Sequence, residues 1–160
     1  MKAIPWEVND SHFSDSYVAG FLDGDGSIVA TVEKRPERRR FPYRIRLKIN
    51  FTQHIKHINM LRALQKFLKN YGKIRIAKTH NIAELVIQDR NQVKETIEKL
   101  LPHIILKKRQ AKIMLAIITV YNDAKVIVRS SLSEKEFANI LSLVREIRNL
   151  NSHTGGKIKL

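Results

Sequence analysis

Between Tyr43 and Thr52 the chain alternates almost without fault. Ile45, Leu47, Ile49 and Phe51 interleave with Arg44, Arg46, Lys48, Asn50 and Thr52. A period of two with one polar face predicts a half-buried β-strand. Ile28–Glu33 repeats the pattern in shorter form, with Ile28, Ala30 and Val32 on one side and Val29, Thr31 and Glu33 on the other. A strongly basic loop, EKRPERRRFP, joins the two. Upstream, Ser14, Asp15 and Ser16 offer N-caps for a short helix through Tyr17–Leu22, with Gly24 and Gly26 as terminators. Downstream, Ile58, Leu61, Leu64, Phe67 and Leu68 recur at helical spacing within 55–71, and Gly72 ends that helix. Two more strands follow, Lys73–Lys78 and Ile82–Gln88, with a turn at His80 and Asn81. Three helices close the chain. One runs from an Asn91 cap to Leu101 before Pro102, one covers 107–121, and one opens on a Ser131–Glu134 capping box and ends near Leu150.

The order is helix, two strands, helix, two strands, then three helices, so one helix–strand–strand unit is followed by a similar one. This predicts an α+β fold: a four-stranded antiparallel sheet whose apolar face is covered by helices. At 160 residues the chain fits a single domain over 1–160, with 1–13 as an N-terminal arm and 151–160 as a loose basic tail. The uncovered face of the sheet carries Arg44, Arg46, Lys48, Lys73 and Arg75, interleaved with Thr31, Asn50, Thr52 and Gln88.

Charge turns that face into a candidate binding surface. Thirty Lys and Arg against 15 Asp and Glu give a net charge of +15, spread along the chain rather than gathered in a tail. A folded body this basic attracts polyanions, nucleic acid first. Like charges facing one another across a sheet destabilise it, whereas cations among amides and hydroxyls suit phosphate contact and the reading of base edges. No apolar run approaches the ~20 residues needed to cross a bilayer, and the first ten residues, MKAIPWEVND, have no secretory or transit pattern. With no cysteine, disulfides, thiolate nucleophiles and Cys-ligated metals are excluded. His54 and His57 stand three apart without a second pair, the pattern of solvated surface histidines.

The stretch FLDGDGSIVA, residues 21–30, resembles a calcium loop at first sight. With Gly26 in the glycine position of an EF-hand, the first and last ligand positions fall on Phe21 and Val32, which have no side-chain oxygen. Asp23 and Asp25 instead stand at the C-terminal end of a helix, where carboxylates are locally unfavourable. Beside helix-end carbonyls they make a group of hard oxygens suited to Mg²⁺; an ordinary Asp-Gly turn is the plainer alternative. Gly20 and Gly24, four apart with Ala19 alongside, cost about 1 kcal/mol each in a helix but permit close backbone approach. The chain has one such helix, so a partner helix comes from a second copy about a twofold axis.

Tyr17 to Gly26, YVAGFLDGDG, followed by Ser27-Ile28, resembles the LAGLIDADG motif of homing endonucleases. LKKRQAKIMLAII, from Leu106 to Ile118, resembles that family's lysine-bearing helix start, and FTQ at Phe51–Gln53 resembles the end of its second strand. The resemblance implies an αββαββα fold and, with one motif copy, the homodimeric type. It implies catalytic roles for Asp25, Gln53 and Lys107, with Lys108 taking the lysine's place if the register slips by one. It implies metal binding by the Asp25 carboxylate and the Gly24 carbonyl. Asp23 is expected to be structural, and Arg109 either approaches phosphate or is solvated.

The expected cofactor is Mg²⁺, with Mn²⁺ or Ca²⁺ able to occupy the same site. The expected DNA surface comprises Val29, Thr31, Glu33, Arg35, Arg38, Arg39, Arg40, Arg44, Arg46, Lys48, Asn50, Thr52, Lys73, Arg75 and Gln88. The expected dimer seam comprises Tyr17, Ala19, Gly20 and Gly24. The implied activity is site-specific cutting of double-stranded DNA at a long, roughly palindromic target, leaving short 3′ overhangs, by an intron-encoded intracellular protein with access to genomic or organellar DNA. Two alternatives use the same surface: a maturase that binds its own intron RNA, and a DNA-binding regulator without catalysis.

Overall fold

The computed structural model describes residues 8–38, 42–123 and 132–152. Its elements follow the expected order: α1 (Asp15–Asp25), β1 (Gly26–Lys34), β2 (Tyr43–His54), α2 (Ile58–Phe67), β3 (Lys73–Ala77), β4 (Ile82–Ile87), α3 (Arg90–Leu100), α4 (Lys108–Asp123) and α5 (Glu134–Asn151). The strands form one antiparallel sheet in the order β1-β2-β4-β3. Each αββ unit thus supplies a hairpin, and the two hairpins join through β2 and β4 at the centre. Among the described residues no helix is long and apolar enough to cross a membrane.

The period-two reading assigns the faces correctly. Ile28, Ala30, Leu47, Ile49, Phe51, Ala83, Leu85 and Ile87 are buried under the helices, against Leu22, Leu61, Leu64, Ile97, Met114 and Ile117. This apolar burial is the main favourable term holding the sheet to its helices. Phe21 of α1 stacks on Phe51 of β2 with centroids 5.4 Å apart, which seats the first helix directly on the central strand.

Several boundaries differ from the sequence reading. A single 3₁₀ turn at Ile55–His57 precedes α2, and Lys69, Asn70 and Gly72 take positive φ in the turn after it. Helix α3 is capped by Asp89, whose carboxylate accepts from the Gln92 N–H; the expected cap, Asn91, already lies inside the helix. The capping box of α5 is Ser133–Glu136, two residues beyond the expected pair; Ser131 lies outside the described residues. Asn151 belongs to α5 rather than to a tail, and its amide donates to the Ile28 carbonyl at 2.8 Å. Because β1 pairs with β2 alone, that bond caps part of an otherwise open edge. Within the expected N-terminal arm, Asp10–His12 form a 3₁₀ turn, and Phe13 packs edge-on to Tyr17 and against Phe67.

Gly26 is where the motif helix becomes the first strand. A β-carbon there would stand 2.7 Å from Leu22 Cδ1 and 2.8 Å from the Asn50 carbonyl oxygen. The strand therefore starts flush against its neighbour only without a side chain. Gly26→Ala is expected to destabilise the fold by about 1–3 kcal/mol. Thermal unfolding should show a melting point lower by several degrees, at ~2–4 °C per kcal/mol for a chain of this size.

Candidate active site and nucleic-acid face

Helix α1 presents two different sides. Val18, Ala19 and Leu22 point into the core and are fully buried. Tyr17, Gly20 and Gly24 lie on the exposed side. Ala19 therefore falls off the expected dimer seam: it is covered by its own chain. A β-carbon at Gly20 or Gly24 would meet nothing within 4 Å, so the space that glycine leaves there opens outward. Sequence reasoning missed two large exposed apolar residues near the end of this helix, Ile105 (85% exposed) and Leu106 (73% exposed). Their signal is an apolar run, IIL, between Pro102 and Lys107 that does not fit the period of α4.

These residues are held beside α1 by Asp23. Its carboxylate accepts the backbone N–H groups of Ile105 (2.8 Å), Leu106 (3.0 Å) and Lys107 (3.0 Å). The Lys107 ammonium donates in turn to the Asp23 carbonyl. Partial burial pushes the Asp23 carboxyl up, but the three backbone N–H groups and the Lys107 charge outweigh it and hold the carboxyl below its ordinary value.

Asp25, the last residue of α1, is exposed. Gln53 Nε2 donates to its Oδ2 at 3.1 Å. At the helix end the Leu22 carbonyl accepts the Gly26 N–H and the Asp23 carbonyl accepts Lys107; the Gly24 carbonyl is the next oxygen. The fold thus gathers Asp25, Gln53, Gly24 and Lys107 at one end of α1, from elements far apart in the chain. Lys108 is exposed, and Arg109 pairs with Glu146 of α5 (Nη2–Oε1 2.6 Å), which makes it a tie between helices.

Among the described residues no three His, Asp or Glu side chains converge on one point. One exposed carboxylate beside a helix-end carbonyl is not a closed protein cage, but it fits a divalent ion such as Mg²⁺, which keeps several waters and completes its shell with substrate phosphate.

The uncovered sheet face extends from this helix end. Thr31, Glu33, Arg44, Arg46, Lys48, Thr52, Lys73 and Arg75 lie on it, as the alternation requires, and Val29 sits opposite Lys48. Glu33 takes Arg46 (2.8 Å) and Arg35 (3.2 Å), so two of the expected contact cations are partly neutralised within the chain. Asn50 is only 7% exposed, enclosed between Ser27 and Glu84. Arg75 donates to Gln88 at 3.3 Å. Strand β2 runs past the end of β4, and the notch at its edge is a cleft of about 300 Å³ lined by Arg38, Arg44, Arg46, Gln88 and Arg90. Arg39 and Arg40 lie outside the described residues.

An αββαββα architecture, with a glycine-bearing first helix that ends in an exposed acid beside a basic sheet, is the fold of homing endonucleases. A family model described as LAGLIDADG endonuclease matches residues 18–119. DNA endonuclease I-CvuI of Chlorella vulgaris is 33% identical over 103 residues, 64% of this chain and 62% of that protein. DNA endonuclease I-CreI of Chlamydomonas reinhardtii is 27% identical over 135 residues, 84% and 77% of the two chains. The crystal structure of I-CvuI in complex with its target in the presence of calcium superposes with a TM-score of 0.77 at 26% identity, covering 90% of this chain and 85% of that one. The chain belongs to the LAGLIDADG endonuclease family and carries a single copy of the motif.

The Asp23 tie generates a pH dependence. Its folded-state pKa is depressed from 3.8, so its contribution to stability is fully present above that value and is lost as pH falls through the lower, folded one. Melting points of the wild type and Asp23→Asn should differ by a constant amount above pH ~5 and converge at lower pH. A difference that ignores pH would mean that the carboxylate's charge contributes nothing.

Proposed function

We propose that the chain is one half of a homodimeric, metal-dependent DNA endonuclease that cuts both strands of a long, roughly palindromic target and leaves short 3′ overhangs. The observation that carries this reading is the meeting of Asp25, Gln53 and Lys107 at the end of α1, where the basic sheet face begins. A protein that only bound DNA would need cations, not an exposed acid oriented by an amide beside a lysine. The likeness to I-CvuI, crystallised with its target and calcium, supports both the substrate and the use of a divalent ion.

Asp25 and the Gly24 carbonyl are the residues to hold Mg²⁺, which supplies Lewis-acid activation of water and offsets charge on the phosphodiester. Gln53 fixes the Asp25 carboxylate and leaves its own amide oxygen for solvent. The Lys107 ammonium, held at the Asp23 carbonyl, would be the cation to offset negative charge on the phosphate. The water oxygen bonds to phosphorus and releases a proton to solvent, the bond to the 3′ oxygen breaks, and that oxygen takes a proton from solvent, which leaves a 5′ phosphate and a 3′ hydroxyl. One chain supplies one such site, so cutting two strands calls for two copies. Tyr17, Gly20 and Gly24 form the exposed side of α1 on which they meet, with the exposed Ile105 and Leu106 tied to the end of the same helix through Asp23.

The sheet sets the reach. At ~3.3 Å per residue Arg46 lies about 23 Å along β2 from Gln53, or about seven base pairs at ~3.4 Å each. A twofold pair of such sheets reads a correspondingly long site. The same reading puts the protein inside the cell, where genomic or organellar DNA is found.

Incubating the protein with a library of long duplexes and Mg²⁺ should give double-strand breaks that EDTA abolishes. Asp25→Asn should cut ~10²–10³-fold more slowly while binding the same duplexes. Binding to intron RNA with no duplex cut would support the maturase instead. Gly20→Leu should weaken self-association roughly tenfold or more, equivalent to ~1.4 kcal/mol. Sedimentation at graded concentrations reads this out, and an unchanged dimer would remove α1 from the interface.

A further inference from the structure

On the uncovered face of the sheet a chain of polar side chains crosses three strands. The Ser27 hydroxyl of β1 donates to Asn50 Oδ1 of β2, and Asn50 Nδ2 donates to Glu84 Oε1 of β4 at 3.1 Å. The Thr52 hydroxyl donates to the same carboxylate oxygen at 3.4 Å. The direction of this chain is fixed. With its oxygen turned to Ser27, the Asn50 amide must show its N–H groups to Glu84. One carboxylate oxygen of Glu84 is committed in this way; the other makes no hydrogen bond among the described residues.

Glu84 also lacks a cationic partner at ion-pair distance among the described residues. The other carboxylate on this face, Glu33, has two arginines. Arg75 lies opposite Glu84 in the β3–β4 register but sends its guanidinium to Gln88. An unneutralised carboxylate opposes phosphate binding, and a neutral acceptor would serve Asn50 and Thr52 equally well. What only the carboxylate offers is a second acceptor oxygen, where an amide in its place would present a donor. In the major groove cytosine presents its N4 amine as a donor, whereas guanine presents two acceptors, N7 and O6. Glu84 pairs with Thr52, the residue before Gln53, which places it close to Asp25.

We propose that Glu84 is a specificity-determining residue: its uncommitted carboxylate oxygen accepts the N4 amine of a cytosine in the central part of the target, near the cut, and rejects guanine there. This rests on the DNA-cleaving reading above. Asn50 and Thr52 then act as positioning residues that hold the carboxylate in one orientation, and Ser27 fixes Asn50 in turn.

The test is a binding selection from a fully randomised duplex library, run with the wild-type protein and with Glu84→Gln, followed by sequencing of the bound sites. Wild-type sites should carry cytosine over guanine about tenfold at one symmetry-related pair of positions in the central part of the target. Glutamine donates as well as accepts, so E84Q should bring that ratio towards one while the preferences at other positions stay as they were. An unchanged E84Q profile would overturn the proposal and leave Glu84 as a support for Asn50. Should E84Q fold poorly, the wild-type protein decides alone. Competition between duplexes that differ only by C·G or G·C at each central position should favour C·G at one of them, and equal affinity at all of them overturns the proposal. If the wild type selects no duplex at all, the DNA reading fails first and this one with it.

Discussion

Asp23 joins two helix ends that would otherwise repel or go unsatisfied. The C-terminal end of α1 carries partial negative charge, and a carboxylate there is unfavourable by itself. The segment leading into α4 has the opposite problem, with backbone N–H groups that no helical turn can satisfy. Asp23 answers both by accepting three consecutive N–H groups from residues 82 to 84 positions away, and Lys107 closes the loop on the Asp23 carbonyl. Charge-assisted bonds of this kind are roughly twice as strong as neutral ones. The end of the motif helix is thereby fixed relative to the lysine, while Asp25, two residues on, stays exposed.

The sheet completes the arrangement because its faces are kept apart. The helices take the apolar side, and Phe21 stacked on Phe51 binds α1 to the central strand. Gly26 lets β1 start immediately at the helix end, so the basic face begins where the acid is. The cations are not uniformly free. Glu33 draws Arg35 and Arg46 together, and Glu84 gathers Asn50 and Thr52, which gives the surface local pattern as well as overall positive charge.

The parts of this structure legible in the sequence were those governed by short periods. The alternation of β2 placed Ile45 to Phe51 inside and Arg44 to Thr52 outside, and the residue order yielded two αββ units. Ala19 is small like the glycines beside it, so its size alone points to the seam. The helical turn instead puts it with Val18 and Leu22 in the core. Caps were misjudged by two residues at Asp89 and Ser133, where several candidates stand together and only the backbone conformation chooses among them. Asn50 was assigned to the right face, yet its enclosure depends on Ser27 and Glu84, which arrive from other strands. The run IIL marks Ile105 and Leu106 as apolar, but their exposure follows from a tie to Asp23 across about half of the chain, which no short period records.

Two copies must share one duplex if each supplies a single acid to a single strand. Native mass spectrometry of the protein bound to a duplex recovered by selection measures that directly. The mass should correspond to two chains per duplex with no one-chain complex at saturation; a saturated complex holding one chain would contradict a site built from twin α1 helices.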